Sequence, residues 1–203
     1  MATKCSILTV GHSNHEVQVL INLLKKHGVT AVADIRSTPY SAAAPQFNRE
    51  NLKPKLQSEG FKYVHLGNEL GAHPQDPACY KNGKVAYSLQ AKTSSFREGL
   101  QRVISGAEKH KIALLCVEKE PLKCHRSVLI ARELEAQSAD VAHILADGSI
   151  ESHNDAMDRL LKESKLDRAD LFRTREELVE EACRRQEHRI AYVNETMKNE
   201  TST

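Results

Sequence analysis

The amino-acid sequence predicts an α/β fold: a single Rossmann-like domain with a mostly parallel sheet flanked by helices, followed by a C-terminal helical extension. Short apolar runs alternate with segments of helical periodicity up to about Ile150. Residues 112–117 are almost entirely apolar, which is typical of a parallel strand buried on both faces. After Ile150 the pattern is helical and strongly charged. The alternation favours a parallel sheet with crossover helices over a helix bundle or a β-sandwich.

The first half of the chain contains three predicted strands. Residues 6–10 form the first, and apolar residues at helical spacing then run toward Gly28, which suits the left-handed position after a helix. Residues 31–35 form the second strand, and the helix that follows its loop ends at Gly60. Residues 61–66 form the third strand.

The segment after the third strand, up to about Asn82-Gly83, is rich in Gly, Pro and Asn and is too long for a simple turn. We therefore expect a functional loop or lid there. The second half of the chain contains, in order, a strand over 112–117, a helix that begins at 124–127, a strand over 141–145, and helices over 153–162 and 174–192.

Three helix starts carry the pattern of a capping box, in which two side chains satisfy backbone N–H groups that the first turn leaves unpaired. The three pairs are Ser13 with Glu16, Ser95 with Glu98, and Thr174 with Glu177.

The chain has the size and composition of one globular domain. It has 203 residues, of which 40% are hydrophobic and 28% are charged. We assign residues 1–192 to a single α/β domain that includes the C-terminal helices. Residues 193–203 are polar and lack a packing face, so we expect a flexible tail there.

Charge, cysteine content and hydropathy exclude several classes of protein. A net charge of +2 gives no reason to expect tight, non-specific binding to a phosphate backbone. The five cysteines are odd in number and sparse, which favours reduced thiols over a disulfide scaffold. No secretory signal or membrane span is apparent, so we expect a cytoplasmic protein without a membrane partner. The sequence carries no signal for an oligomeric state.

Candidate site residues follow the predicted strands, because ligands of open parallel sheets bind outside the carboxyl ends of the strands. They are His12, Ser13 and Asn14 after the first strand, Asp34, Arg36 and Ser37 after the second, Asn68 and Glu69 after the third, and Glu118, Cys124, His125 and Arg126 after the fourth.

Cys124 is the candidate nucleophile. It precedes a predicted helix, whose N-terminus favours a thiolate, and His125 and Arg126 add cationic neighbours. The alternative is a cysteine that packs as a small apolar residue or caps the turn.

The other polar residues predict an anion site and acid–base chemistry. Arg36 and Arg126 suit anionic groups of a ligand, although each could instead pair with a neighbouring carboxylate. Asp34 and Glu118 follow different strands and could act together as acid and base. The alternative for Asp34 is a structural salt bridge with Arg36.

Several separated motifs resemble the uncharacterised family called domain of unknown function 488. They are TVGHSN, DIRSTPYS, HLGNELG and LLCVEKEPLKCHR, together with the later HILADG and RRQEHRIAY, and they span most of residues 7–192. Ala72 departs from the pattern, in which a second Gly follows LG. The resemblance implies an α/β domain with a polar pocket, and it implies no particular reaction.

The sequence predicts neither a metal nor an organic cofactor. Cys116, Cys124, His125 and His12 are soft ligands, but the cysteines lack CxxC spacing and Cys116 falls within an apolar strand. No GxGxxG or GxxxxGK[ST] motif is present. We therefore expect no nicotinamide or nucleoside-triphosphate cofactor.

Three functional hypotheses follow. The first is a hydrolase acting on a nucleotide or a nucleic-acid base, with N-glycosidic cleavage favoured over phosphoester cleavage because a carboxylate can stabilise an oxocarbenium-like centre and no paired-metal site is apparent. The second is a transferase or redox protein in which Cys124 forms the covalent intermediate and Cys116 resolves it. The third is a non-catalytic module that binds nucleotides or nucleic acid.

Overall fold

The computed structural model describes residues 6–166 and 172–199, and all elements named below lie in these ranges. The strands are β1 (Ser6–Gly11), β2 (Ala31–Asp34), β3 (Lys62–His65), β4 (Tyr80–Lys81), β5 (Lys84–Val85), β6 (Ile112–Cys116), β7 (Asp140–Ile144) and β8 (Ile150–Ser152). The α-helices are α1 (Val17–Lys26), α2 (Arg49–Ser58), α3 (Gly67–Leu70), α4 (Tyr87–Gln90), α5 (Ser94–Ala107), α6 (Arg132–Ala136), α7 (His153–Glu163), α8 (Arg175–Ile190) and α9 (Glu195–Asn199).

Six strands form one sheet in the order β3-β2-β6-β1-β7-β8. The first five are parallel to one another, and β8 is antiparallel to β7. This arrangement confirms the predicted α/β class with a mostly parallel sheet. Because β6 lies between β2 and β1, the loops that follow these three strands leave the sheet side by side.

Apolar side chains cover both faces of the sheet. On β1, Ile7 joins a core with α5, α6, α7 and α8, whereas Leu8 and Val10 join a second core with α1 and α2. The whole of β6 is buried, as its continuous apolar run predicts. Helices on both faces thus hold β6 in a fixed position.

Two of the three predicted capping boxes are wrong. Ser13 has a φ of 52°, and α1 begins only after Glu16 without a side-chain cap. α5 is capped by Thr93, whose hydroxyl accepts from the amide of Phe96, so the predicted Ser95 box is also wrong. The box of Thr174 and Glu177 on α8 is confirmed.

The long segment after β3 is structured. It contains α3 and the hairpin of β4 and β5, whose turn residues Asn82 and Gly83 have φ values of 52° and 72°. Two left-handed residues suit the right-handed twist of a hairpin, and Asn-Gly is the preferred pair for such a turn. In the predicted tail, Val193 forms a β-bridge with Lys84 and α9 follows, while 200–203 lie outside the described residues. Within the described ranges, no helix has the length and apolarity needed to cross a membrane.

The helix after β6 begins with an unusual turn. Residues Arg126–Ala131 form a π-helix, which continues directly as α6. All six of these residues are buried. π-Helical turns are rare, and those that do occur often lie at functional sites.

Candidate functional site

The loops after β1 and β6 are joined by backbone contacts. The amides of His12 and Ser13 donate to the carbonyl oxygens of Cys116 and Val117 at 3.0 and 2.8 Å. At the end of β1, a Cβ on Gly11 would lie 1.8 Å from the carbonyl oxygen of Glu118. Only glycine fits this close approach, which sets the path of the loop after β6.

That loop returns to the sheet at Cys124 and forms a cluster with the last residue of β6. We call Cys116, Glu118, Cys124 and His125 the thiol cluster. The Cys124 Sγ lies 3.2 Å from the Cys116 Sγ and 3.6 Å from the His125 Nδ1. The Cys116 Sγ lies 3.0 Å from the Glu118 Oε2 and 4.0 Å from the same Nδ1. The thiol proton of Cys116 therefore faces two acceptors, the Glu118 carboxylate and the Cys124 sulfur.

The imidazole of His125 is held in one orientation. Its Nε2 lies 2.9 Å from the carbonyl oxygen of Leu70, which can only accept, so Nε2 carries a proton and donates. Nδ1 then faces both sulfur atoms, either as a lone pair or, in the imidazolium, as a second donor. The orientation suits a base for Cys124, a cationic partner of its thiolate, or a metal ligand.

Arg126 is a fully buried cation behind the cluster. Its side chain has 0% exposure, and its terminal nitrogens donate to the carbonyl oxygens of Glu118 and Lys119 at 2.5 and 3.2 Å. Among the described residues, its Nε has no hydrogen-bond partner and no carboxylate forms an ion pair with the guanidinium. Because a buried charge is costly unless it is compensated, the position favours an anion nearby, and the Cys124 sulfur can supply one.

The pKa values in the cluster shift in the directions that this charge distribution favours. Burial raises the pKa of Cys124, but the hydrogen bond with Cys116 and the charges of Arg126 and His125 outweigh it, so the pKa lies well below its usual value. The hydrogen bond with Cys124, reinforced by burial, raises the pKa of Cys116. Burial, followed by the Cys124 charge, raises the pKa of Glu118. Burial lowers the pKa of His125, but the Cys124 charge outweighs it and the net shift is upward.

A second buried group lies at the ends of β1 and β2. Asp34 receives Nε and Nη2 of Arg36 at 2.8 and 2.6 Å and the Tyr63 hydroxyl at 2.7 Å. The Arg36 Nη1 donates to the carbonyl oxygen of Phe47 at 2.9 Å and lies 3.2 Å from the His12 Nε2. Burial, followed by the charge of Arg36, lowers the pKa of His12 to about 4. The salt bridge considered as the alternative for Asp34 is present, and its carboxylate has a donor on each oxygen.

Comparison with known families agrees with the motifs. The family described as domain of unknown function DUF488 matches residues 16–132, which is more than half of the chain. The chain belongs to this family. The DUF488 match contains the Asp34–Arg36 pair and the whole thiol cluster, and it ends at the start of α6. Neither a comparison with curated proteins nor one with solved structures finds a match.

The remaining predicted site residues of this DUF488 protein lie in other surroundings. Ser13 donates to Asn14 at 3.3 Å at the surface, and the Ser37 hydroxyl accepts from the amide of His73 at 2.9 Å. Glu69 forms an ion pair with Arg102 on α5. Together with Asn68, Glu69 borders a separate cavity of about 230 Å³.

Cys116 is the member of the thiol cluster that the sequence indicates least clearly. It enters the sequence prediction only as the resolving thiol of the second hypothesis and as a rejected metal ligand, because it belongs to an apolar strand. The structure places its sulfur in contact with Cys124 and Glu118. The available signal is its position as the last residue of a buried parallel strand, where ligand sites of such sheets form.

The same geometry brings together three ligands of the kind that bind soft metals. Donor atoms of Cys116, Cys124 and His125 all lie within 4.8 Å of one another. The expectation of no metal rests on the absence of CxxC spacing in the sequence. Sequence spacing cannot reveal ligands that are distant in the chain and become neighbours only in the folded structure.

Proposed function

We propose that this protein is a thiol-based redox enzyme in which Cys124 is the nucleophile, Cys116 is the resolving thiol and a hydroperoxide is the oxidant. The observation that carries the proposal is the 3.2 Å contact between the two sulfur atoms at the end of the central strand. Both cysteines are free, so the structure is that of the dithiol form. A second thiol at this distance suits disulfide formation, and hydrolysis does not require one.

Access to the cluster favours a small oxidant. Cys124 and Cys116 are only 2% and 3% exposed, so a bulky substrate does not reach either sulfur without rearrangement. Glu118 is exposed as a whole residue, but its carboxylate lies against the buried Cys116 sulfur, which accounts for the effect of burial on its pKa. Rotation of the Glu118 side chain away from Cys116 would uncover that sulfur for a molecule of the size of hydrogen peroxide.

The proposed reaction has two steps. In the first, the Cys124 thiolate attacks one oxygen of the hydroperoxide, the O–O bond breaks, and the departing oxygen takes a proton to leave as water or an alcohol. Cys124 becomes a sulfenic acid. In the second, the Cys116 sulfur attacks the Cys124 sulfur, an S–S bond forms, and the hydroxyl leaves as water with the proton from Cys116. Two thiols and one hydroperoxide thus give one disulfide, one molecule of water from the second step, and one molecule of water or alcohol from the first. An external thiol reductant restores the dithiol.

Neighbouring groups support both steps. Arg126 places a buried positive charge beside the Cys124 thiolate, and His125 presents Nδ1 to it. Glu118 lies 3.0 Å from the Cys116 sulfur and accepts the thiol proton as Cys116 becomes the attacking group. The proposal places the protein in the cytoplasm, where cellular reductants return disulfides to thiols.

The hydrolase hypothesis draws less support from the contacts. The guanidinium groups of Arg36 and Arg126 already donate to protein acceptors, and Arg36 is only 5% exposed. Neither is positioned to receive a phosphate from solvent. Glu118 keeps an exposed position and remains the candidate acid if a nucleotide or nucleic-acid base is the substrate.

The experiment measures peroxide consumption and disulfide formation in the same sample. Reduced protein is treated with hydrogen peroxide, free thiols are alkylated, and the Cys116–Cys124 linkage is quantified by peptide mass spectrometry. We expect Cys124→Ser to abolish the reaction and Cys116→Ser to stop at a sulfenic acid that a dimedone probe captures. Cys79→Ala, which removes a buried thiol outside the cluster, is the matched control and should react like the wild type.

The hydrolase hypothesis is tested on the same preparations by incubating them with nucleosides and nucleotides and searching for released bases by mass spectrometry. If the dithiol resists peroxide while a nucleoside is cleaved in a Glu118-dependent manner, the redox proposal is wrong. Binding of a nucleotide without turnover of either substrate would instead favour the non-catalytic module.

A further inference from the structure

We infer that the reduced thiol cluster is a zinc site, with Cys116, Cys124 and His125 as three ligands and Glu118 as the fourth. The two sulfurs and Nδ1 lie within 4.8 Å of one another. A carboxylate oxygen of Glu118 contacts the Cys116 sulfur at 3.0 Å. Thiolate, imidazole and carboxylate are the three ligand types that zinc takes in proteins.

The distances between the donor atoms are close to the edges of a zinc tetrahedron. Standard Zn–S and Zn–N bond lengths place two sulfurs about 3.8 Å apart and a sulfur and a nitrogen about 3.5 Å apart. The corresponding distances are 3.2 Å between Cys116 and Cys124, and 3.6 and 4.0 Å from the two sulfurs to His125. The three observed distances therefore differ by at most about 0.6 Å from the spacing that zinc coordination requires.

The surroundings of His125 are those of a metal ligand. Nε2 donates to the carbonyl oxygen of Leu70, so the neutral imidazole presents the lone pair of Nδ1 to the sulfurs. Histidines that bind metals characteristically donate their other N–H to a carbonyl or a carboxylate, which fixes the ring and its tautomer.

Charge balance also fits a divalent cation. Two thiolates and one carboxylate bring three negative charges into a buried site, and Zn²⁺ with the Arg126 guanidinium supplies three positive ones. Arg126 is fully buried and forms no ion pair with a carboxylate of the described residues. With zinc bound the site is electrically neutral, which removes much of the cost of burying each charge.

The ligands differ in how firmly the fold holds them. Cys116 ends a buried strand, and Cys124 and His125 immediately precede the buried π-helix. Glu118 alone of the four is an exposed residue. The position of Glu118 is therefore the exchangeable one, through which zinc or another molecule enters.

Zinc at this site would regulate the proposed redox reaction, and this part of the inference rests on that proposed function. Bound zinc holds both sulfurs as ligands and slows their reaction with peroxide. When oxidation occurs, two thiolates, one hydrogen peroxide and two protons give the disulfide and two waters, and the disulfide releases Zn²⁺ because it has lost both thiolate ligands.

The test begins with zinc alone. Reduced protein, purified without a metal-chelating resin and stripped with a chelator, is titrated with Zn²⁺ against a chromophoric competitor. Co²⁺ is used in parallel, because its thiolate charge-transfer absorption reports sulfur ligation. We expect one ion per chain with thiolate bands, loss of binding in Cys124→Ala, and unchanged binding in the control Cys79→Ala. The exposed Glu118→Gln, which spares the folded core, should weaken zinc about tenfold or more.

Zinc release on addition of hydrogen peroxide separates this inference from the proposed function. Stoichiometric zinc binding by a dithiol that never forms a disulfide would leave the zinc site intact and refute the redox function. Disulfide formation without stoichiometric zinc binding, or zinc retained at full affinity by both Cys124→Ala and Glu118→Gln, would overturn the zinc site and leave the redox function standing.

Discussion

Replacing Asp34 by asparagine should destabilise the protein strongly without changing its thiol chemistry. The substitution preserves the size of the side chain and removes the charge that balances Arg36, whose guanidinium is buried and donates to both oxygens of Asp34 at 2.8 and 2.6 Å. Breaking a buried ion pair in this way typically costs about 3–5 kcal/mol, because the remaining charge is left uncompensated.

A milder change at the same carboxylate provides a comparison for the loss of unfolding free energy expected of Asp34→Asn. Tyr63→Phe removes one hydrogen bond of 2.7 Å to Asp34 and leaves the ion pair in place. Hydrogen bonds to charged groups contribute roughly 1.5–3 kcal/mol, so this variant should lose less than Asp34→Asn. The double variant Asp34→Asn with Arg36→Met removes both charges, and it should recover part of the loss.

The assay is urea unfolding followed by circular dichroism, with the free energy of unfolding obtained by linear extrapolation. Peroxide-driven disulfide formation is measured on the same variants at urea concentrations where each is folded. A free energy of unfolding for Asp34→Asn within about 1 kcal/mol of the wild type would refute the structural role derived from the buried pair. Folded Asp34→Asn that no longer forms the disulfide would show that Asp34 takes part in the chemistry.

Three further predictions concern the scaffold around the site. Gly11→Ala should displace the loop after β6 and slow disulfide formation at least tenfold in the peroxide assay, because the added Cβ would lie 1.8 Å from a carbonyl oxygen; normal kinetics would contradict this. Burial lowers the pKa of His143 to about 3 and that of His153 to about 4, so both are neutral in the folded state and protonate more readily on unfolding. The urea midpoint should therefore fall as the pH drops below about 6.5, and a flat profile down to pH of about 4 would refute it. Thr174→Ala should cost about 1 kcal/mol through loss of the α8 cap. Ser95→Ala, which does not cap α5, should cost less in the same unfolding experiment.

The strands could be predicted from the sequence because a strand that is buried on both faces consists of a nearly continuous apolar run. The run predicted over 112–117 became β6 at Ile112–Cys116, and that predicted over 141–145 became β7 at Asp140–Ile144. β8 was missed because three residues carry too little periodicity to be distinguished from a turn. The capping box at Ser13 failed because this residue adopts a left-handed conformation, which the side-chain pattern does not encode.

The site was predictable in its place and less so in its contacts. The carboxyl ends of β1, β2 and β6 carry the two buried groups, as the rule for parallel sheets predicts. The sequence could not decide between a free and a paired Asp34, because a carboxylate two residues from an arginine is compatible with either. It also could not show that Arg126 is fully buried, since its motif suggests an exposed helix start.

The wide turn at Arg126–Ala131 makes the number of residues in this region as important as their identity. Each residue of an α-helix rotates the chain by about 100° about the helix axis. Deleting one residue from the turn would therefore rotate the residues that precede it to a different side of the helix. Cys124 and His125 would then no longer lie at the end of β6, even though the sequence would still contain every residue of the cluster. Homologous chains with the same residues but a turn shorter by one position should therefore lack the paired sulfurs, and an alignment that closes the gap there would conceal the difference.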